Sequence, residues 1–217
     1  TDTDDERPKL GLWLPETGSY VEGTPPPGTH RWMILCLDLV TGEILWQRTV
    51  HEGGAPSPKH PKNSFASATP VTDGERVYAL FGNQGIFVYD FDGDLVWSRE
   101  HRSRRNQGHV GTGSSPALLD DQLLVLHDND DKSFLASFDT ETGDENWRVV
   151  REEDDGFSTP LVWRNELRTE VVTAGKNQVR SYDSSGNLIW FFSGQMTNVT
   201  VPTPVPGDGI VYLSSGY

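Results

Sequence analysis

Four of the six histidines, His51, His60, His101 and His109, fall in two polar stretches, residues 51–63 and 101–111. Imidazole is the commonest metal ligand and carries protons near neutral pH, so His60, Asn63 and His109 are candidates for a polar or metal-assisted binding site. The plainer role for such residues is a solvated loop in which His and Asn pack locally. Between these histidines lie Arg99, Arg102, Arg104 and Arg105, the only basic cluster of the chain. Guanidinium forks match carboxylate, phosphate and acidic-sugar oxygens, which makes Arg102 and Arg105 candidate ligand-binding residues. A solvated loop that offsets acidic neighbours is the ordinary alternative. Asp128-Asn-Asp130-Asp131 is rich in the hard oxygens that calcium takes, but it lacks the Gly and the terminal Glu of an EF-hand loop. Asn198-Val-Thr200 is an N-glycosylation triplet, a pattern common by chance. No Gly-x-Ser-x-Gly elbow, His-Glu-x-x-His pair or Gly-x-x-x-x-Gly-Lys phosphate loop occurs in the sequence.

The elements that would position these residues emerge from internal repetition. Four segments share one pattern: Asp38…Gly42…Trp46, Asp90…Gly93…Trp97, Asp139…Gly143…Trp147 and Asp183…Gly186…Trp190. Each Gly precedes its Trp by four positions; the Asp lies four before Gly42 and Gly143 but three before Gly93 and Gly186. Four of only seven Trp therefore share one register. A second register runs alongside it. Ala-Thr-Pro70, Ser-Ser-Pro116, Ser-Thr-Pro160 and Pro-Thr-Pro204 recur 46, 44 and 44 residues apart. Each is followed by an apolar stretch, a turn such as Asp73-Gly74 or Asp208-Gly209, and a second apolar run such as Val77-Tyr-Ala-Leu-Phe81.

Each unit thus holds four short strands separated by turns. The second strand is almost continuously apolar, as when neighbouring sheets cover both faces, and the third alternates more. The Asp…Gly segment reads as a hairpin turn, with Gly supplying positive φ and the Asp carboxylate accepting turn amides. The Trp is then on the outermost strand, filling the wedge between sheets while its indole N–H finds an acceptor. The fold expected is all-β: a β-propeller of four-stranded antiparallel blades, with no helix of ordinary length. Its 22 Gly and 14 Pro agree with a turn-rich chain.

This repeat resembles the pyrroloquinoline-quinone-type (PQQ-like) propeller repeat, whose signature is Ala-x-Asp-x-x-x-Gly-x-x-x-Trp. The likeness runs over residues 31–217, with Cys36, Val88, Ser137 and Ser181 in place of the Ala. The stretch from Asn63 to Tyr78 also looks like secreted bacterial PQQ-binding-like proteins, whose superfamily includes the outer-membrane-assembly lipoproteins of the BamB type. The resemblance implies a propeller of seven or eight blades, of which this chain holds about four to five. Residues 1–30 form an N-terminal segment with a strand expected at 10–14. A partial blade follows at 31–61, then blades at 62–106, 107–154 and 155–195, then a partial blade at 196–217. A fragment of a longer propeller, a four-bladed ring closed by 199–217 pairing with 31–50, and edge-to-edge pairing of two open chains all accommodate that count. Residue 1 is Thr and no signal peptide is visible, from which an upstream segment is expected to have been removed.

For function, the resemblance implies either a scaffold or a quinone enzyme. Dehydrogenases of this superfamily hold PQQ with a vicinal Cys–Cys ring, a Trp floor, Ca²⁺ and a catalytic Asp. Cys36 is the only cysteine, so the vicinal pair is excluded within these residues and none can be carried over as a quinone ligand. PQQ and Ca²⁺ are thus implied by resemblance alone, and no cofactor and no catalytic residue are assigned. The expected function is a noncatalytic extracytoplasmic scaffold for binding or protein assembly. The alternatives are a quinone-dependent dehydrogenase whose site is completed by blades absent here, and the sensor portion of a larger receptor. A protein or a small polar ligand on the funnel face is the expected partner. With 32 acidic against 18 basic residues, the net charge of −14 argues against nucleic acid. The longest apolar run, Trp32 to Leu37, is too short to cross a bilayer. A periplasmic, secreted or cell-surface location in a bacterium is expected from the resemblance.

Overall fold

A computed structural model describes residues 12–14, 19–21, 25–59, 63–82, 84–100, 111–129, 132–194, 196 and 200–215. The strand expected at 10–14 is β1 (Leu12–Leu14), which pairs with β2 (Ser19–Val21). Three complete four-stranded blades follow along the chain. Blade II is β5 (Val71–Thr72), β6 (Arg76–Phe81), β7 (Gly85–Asp90) and β8 (Leu95–Glu100). Blade III is β9 (Ala117–Leu119), β10 (Gln122–His127), β11 (Ser133–Asp139) and β12 (Glu145–Arg151). Blade IV is β13 (Leu161–Arg164), β14 (Thr169–Ala174), β15 (Val179–Tyr182) and β16 (Leu188–Phe192). Each is an antiparallel meander in chain order. On either side stands half a blade. Half-blade I is β3 (Thr29–Leu37) with β4 (Ile44–Gly54), and half-blade V is β17 (Val205–Pro206) with β18 (Val211–Tyr212). Among the described residues these two halves are separate sheets, with no pairing between them that would close a four-bladed ring. The described residues contain no helix.

The core lies between blades rather than within any one of them. Trp32 and Ile34 pack on Ala79, Phe81 and Tyr89, joining I to II. Tyr78, Ile86 and Val88 pack on Leu123, Phe134 and Phe138, joining II to III. Leu124 and Leu135 meet Val171 and Tyr182, joining III to IV. A flat sheet can bury both faces only by stacking, and this explains the continuous burial of the second strands. The third strands differ from expectation. In β11 every residue from Ser133 to Phe138 is buried, because the adjoining blades cover both of its faces. Alternation shifts to the fourth strand, the outer rim, where Trp97 alone of β8 is buried.

The pairing of third and fourth strands slips at the same repeat position in all four units. The shifts lie between Cys36 and Leu37, Val88 and Tyr89, Ser137 and Phe138, and Ser181 and Tyr182. A bulge adds one residue to the outer strand and re-aims the side chain beside it. That side chain is the repeat Trp.

Candidate functional site

The repeat residues build a lock between consecutive blades. In each turn the Asp carboxylate gathers backbone amides: Asp38 Oδ1 accepts from Val40 at 2.9 Å and Thr41 at 2.7 Å, and Asp139 Oδ1 from Glu141 at 2.9 Å and Thr142 at 2.8 Å. In the shorter turns, Asp90 Oδ1 accepts from Asp92 and Asp94, and Asp183 Oδ1 from Ser185 and Asn187. One carboxylate therefore organises both turn lengths. The Thr41 amide first, then its hydroxyl, holds the Asp38 carboxyl below the usual carboxylate range; for Asp139 the Thr142 amide leads. At Asp183 burial pushes the carboxyl up, but hydrogen bonds led by Asn187 outweigh it and the net shift is down.

The Trp of one blade then seats on the turn of the next. Its indole N–H donates to the carbonyl one residue beyond the Asp: Trp46 to Phe91 at 2.8 Å, Trp97 to Thr140 at 2.9 Å and Trp147 to Ser184 at 3.0 Å. A Cβ on Gly93, Gly143 or Gly186 would lie 2.8, 2.6 or 2.7 Å from the Trp46, Trp97 or Trp147 ring. Arg48 reinforces the first lock, its Nε donating to the Gly93 carbonyl at 2.6 Å. Arg99 reinforces the second, bonding the Gly143 carbonyl and, at 2.9 Å, Asp144.

A second lock runs along the centre, where β9 touches both β5 and β13. The Thr69 amide donates to Ser115 Oγ at 2.9 Å, and the Ser115 amide to Thr159 Oγ1 at 3.0 Å. These are the residues before Pro70, Pro116 and Pro160. The sequence shows the Ser/Thr-Pro periodicity, but not that each hydroxyl serves the preceding blade.

On the edge of the blades that the long joining loops share, the charged groups close on one another. Arg151 is fully enclosed and grips Asp128 through Nε–Oδ1 at 2.8 Å and Nη2–Oδ2 at 3.0 Å. Its other arm donates to Thr173 Oγ1 at 2.7 Å and the Tyr182 hydroxyl at 3.0 Å. Burial alone would lower the Arg151 pKa, but the Asp128 charge outweighs it and the guanidinium stays protonated. Glu153 Oε2 accepts the Asn177 amide at 2.7 Å, and its Oε1 takes Arg180 and the Gln178 amide. The cavity between blades II and III, lined by Gly82, Thr112, Ser114, His127, Asp128 and Gly156, measures about 20 Å³. That admits a molecule the size of water and no organic cofactor.

Of the candidate site residues, His60, His109, Arg102 and Arg105 lie outside the described residues, as do His101, Arg104, Asp130, Asp131 and Asn198. Asn63 does join two blades: its Nδ2 donates to the Thr112 carbonyl at 3.3 Å, and its Oδ1 accepts the Ser64 amide at 2.7 Å and the Ser67 hydroxyl. Lys59 Nζ donates to the Asn63 carbonyl at 2.7 Å. His51 is not a loop residue. It lies in β4 opposite Trp32, whose ring it meets edge-on at 5.1 Å. In the 128–131 segment both Asp128 oxygens are engaged by Arg151, and Asn129 Oδ1 accepts the Lys132 amide at 2.7 Å. Among the described residues no group of three His, Cys, Asp or Glu is disposed to hold a metal. Cys36 is a free thiol on β3. The described residues therefore do not fit PQQ with its calcium.

Four-stranded blades locked through Trp, Gly and Asp define a β-propeller of PQQ-like repeats. Residues 28–148 match the profile of the family described as outer membrane protein assembly factor BamB, and the chain belongs to that family. No curated protein matches the sequence. Among solved structures, BamB from Moraxella catarrhalis superposes with a TM-score of 0.58 at 15% identity, over 84% of this chain and 48% of that one. This chain thus spans about half the length of that relative. A europium-containing methanol dehydrogenase covers 81% of this chain and 42% of its own, with 15% identity and TM-score 0.46. The quinohemoprotein alcohol dehydrogenase ADHIIG from Pseudomonas putida HK5 covers 58% and 20%, with 20% identity and TM-score 0.45. Neither dehydrogenase is similar enough to bear on function.

Proposed function

We propose that the chain is a noncatalytic, extracytoplasmic propeller scaffold that presents its funnel-side loops to a protein partner. One observation carries this reading: the charged groups at that edge of the blades, Arg151 with Asp128 and Arg180 with Glu153, are closed on one another and on neighbouring strands. Groups held this way stiffen a surface, and their own polar atoms are taken up by neighbouring strands and turned from a substrate. Membership of a family described as outer membrane assembly factors supports both the scaffold role and the location outside the cytoplasm.

The test has two arms. Titration of the purified chain with PQQ and Ca²⁺, followed by absorbance and by dye reduction with alcohols and sugars, is expected to show neither binding nor turnover. Turnover in that assay would replace the scaffold by the quinone dehydrogenase. A photo-crosslinking residue at Ser64, on the funnel-side loop, is expected to trap one defined envelope protein in cells. The same probe at Arg148 on the outer strand β12 should not trap it, and equal trapping at both positions would remove the funnel-face assignment.

A further inference from the structure

Two consecutive blade junctions carry the same pair of positions with their roles exchanged. Gly82 directly follows β6 as Asp128 directly follows β10, and Thr112 and Gly156 each lie four residues before the prolines Pro116 and Pro160. Between blades II and III the glycine is at the strand end and the side chain on the joining segment: a Cβ on Gly82 would lie 2.1 Å from Thr112 Oγ1. Between blades III and IV the arrangement is reversed, and a Cβ on Gly156 would lie 3.2 Å from the Asp128 Cβ. Asp128 sends its carboxylate to Arg151, at 2.8 and 3.0 Å. Gly82 has no side chain to send, and the cavity of about 20 Å³ lies beside it.

The walls of that cavity mix polar and apolar groups. Ser114 lines it, and its Oγ is enclosed without a hydrogen-bond partner. The counterpart of Ser114 before Pro160 is Ser158, whose hydroxyl donates to the Thr159 carbonyl at 3.4 Å; before Pro70 it is Ala68, which has no hydroxyl. Gly82, Gly113 and Gly156 also line the space and can present only main-chain atoms to it. Leu80, Val125 and Leu126 form the apolar remainder. A wholly apolar cavity stays dry, whereas a water needs about 10–15 Å³ and two to four polar partners. Charge selects the same occupant. Arg151 already neutralises Asp128, so a cation would find no uncompensated charge and few oxygens, and an anion would meet the carboxylate.

We propose that the junction of blades II and III is a binding site for one buried water molecule, held by the Ser114 hydroxyl and by main-chain groups of the lining glycines. The water ties the segment before Pro116 to the ends of β6 and β10, and so joins two blades where Gly82 offers no side chain to do it. At the next junction the Asp128 carboxylate with Arg151 does the equivalent work.

Oxygen-17 relaxation dispersion counts internal waters directly and does not respond to hydroxyl protons. Val125→Ile adds a methylene to the space and leaves Ser114 in place; Ser114→Val adds bulk and removes the hydroxyl. Each is expected to show one long-lived water fewer than the parent. Ser114→Ala keeps the space without the hydroxyl, and its water should leave about tenfold faster, as for the loss of one hydrogen bond. In the parent, nuclear Overhauser transfer from water to the Leu80 and Val125 methyls should place the molecule in this cavity. Val125→Ile exchanges one apolar core residue for another, so it keeps the test open should either Ser114 variant fail to fold. An equal count in the parent and Val125→Ile, or no transfer to those methyls, would mean a dry cavity. An unchanged residence time in a folded Ser114→Ala would remove Ser114 as the ligand. Any of these results overturns the proposal.

Discussion

Gly143 is seated on Trp97 of the preceding blade: a Cβ at Gly143 would lie 2.6 Å from the indole, whose N–H reaches the Thr140 carbonyl at 2.9 Å. Two features separated in sequence by three strands, β9 to β11, thus form one packing unit, and the unit recurs at each described junction between a complete turn and a preceding Trp. Blade stacking buries most of the core, so the lock sets how firmly one blade holds the next.

Gly143 and Gly42 separate packing from backbone strain. Both have left-handed φ, at 72° and 73°, but only Gly143 has a ring above it. Ala at either position costs about 1–2 kcal/mol for the left-handed conformation, and forced overpacking adds about 1–3 kcal/mol at Gly143 alone. Urea unfolding of the dilute chain should show Gly143→Ala as the more damaging substitution. Equal midpoints for the two variants would remove the packing role.

Ser115 links three blades at the centre, accepting from Thr69 and donating to Thr159. Ser115→Ala keeps the donated bond and deletes the accepted one, at about 0.5–1.5 kcal/mol. The signature is local: hydrogen exchange at the Thr69 amide should accelerate while the Ser115 amide keeps its protection. Uniform acceleration across both blades would mean general loosening instead.

Much of this architecture was legible because the repeat residues carry unusual types at fixed spacing. An Asp, a Gly and a Trp in one register announce a turn and a large side chain needing a seat. The identity of the seat was not legible, since a periodic sequence looks the same toward the preceding blade and the following one. Burial of β11 was hidden too, because Ser133 and Ser137 are polar residues that neighbouring blades nonetheless enclose. The role of Ser115 escaped because hydroxyls are frequent and only the central convergence of β5, β9 and β13 selects it. Asp128 misled most. In sequence it heads an acidic stretch suited to calcium, but its partner Arg151 lies 23 residues away, and that distance conceals an ion pair.

That ion pair is enclosed on all sides, with side-chain exposures of 0% and 1%. Removing one member leaves a buried uncompensated charge, at about 3–5 kcal/mol. Asp128→Leu should therefore lower the urea midpoint sharply, while Asp128→Leu combined with Arg151→Met should recover much of the loss. A double variant as unstable as the sum of the single ones would show the two residues acting independently.

Acid should loosen the turns before it disturbs the interior. The Asp38 and Asp139 carboxyls are held low chiefly by the Thr41 and Thr142 amides, and Asp183 by Asn187 against the opposing effect of burial. A folded-state pKa below the unfolded value, about 4 for Asp, means stability that is complete above pH 4 and lost as pH falls through the folded values. Urea midpoints should thus be flat between pH 5 and 7 in this respect and decline below about 4. Asp139→Asn retains an oxygen acceptor but no longer titrates, so it should lower the midpoint at pH 7 and reduce the decline on acidification. A variant that declines as steeply as the parent below pH 4 would show that the turn carboxylate contributes nothing to acid sensitivity.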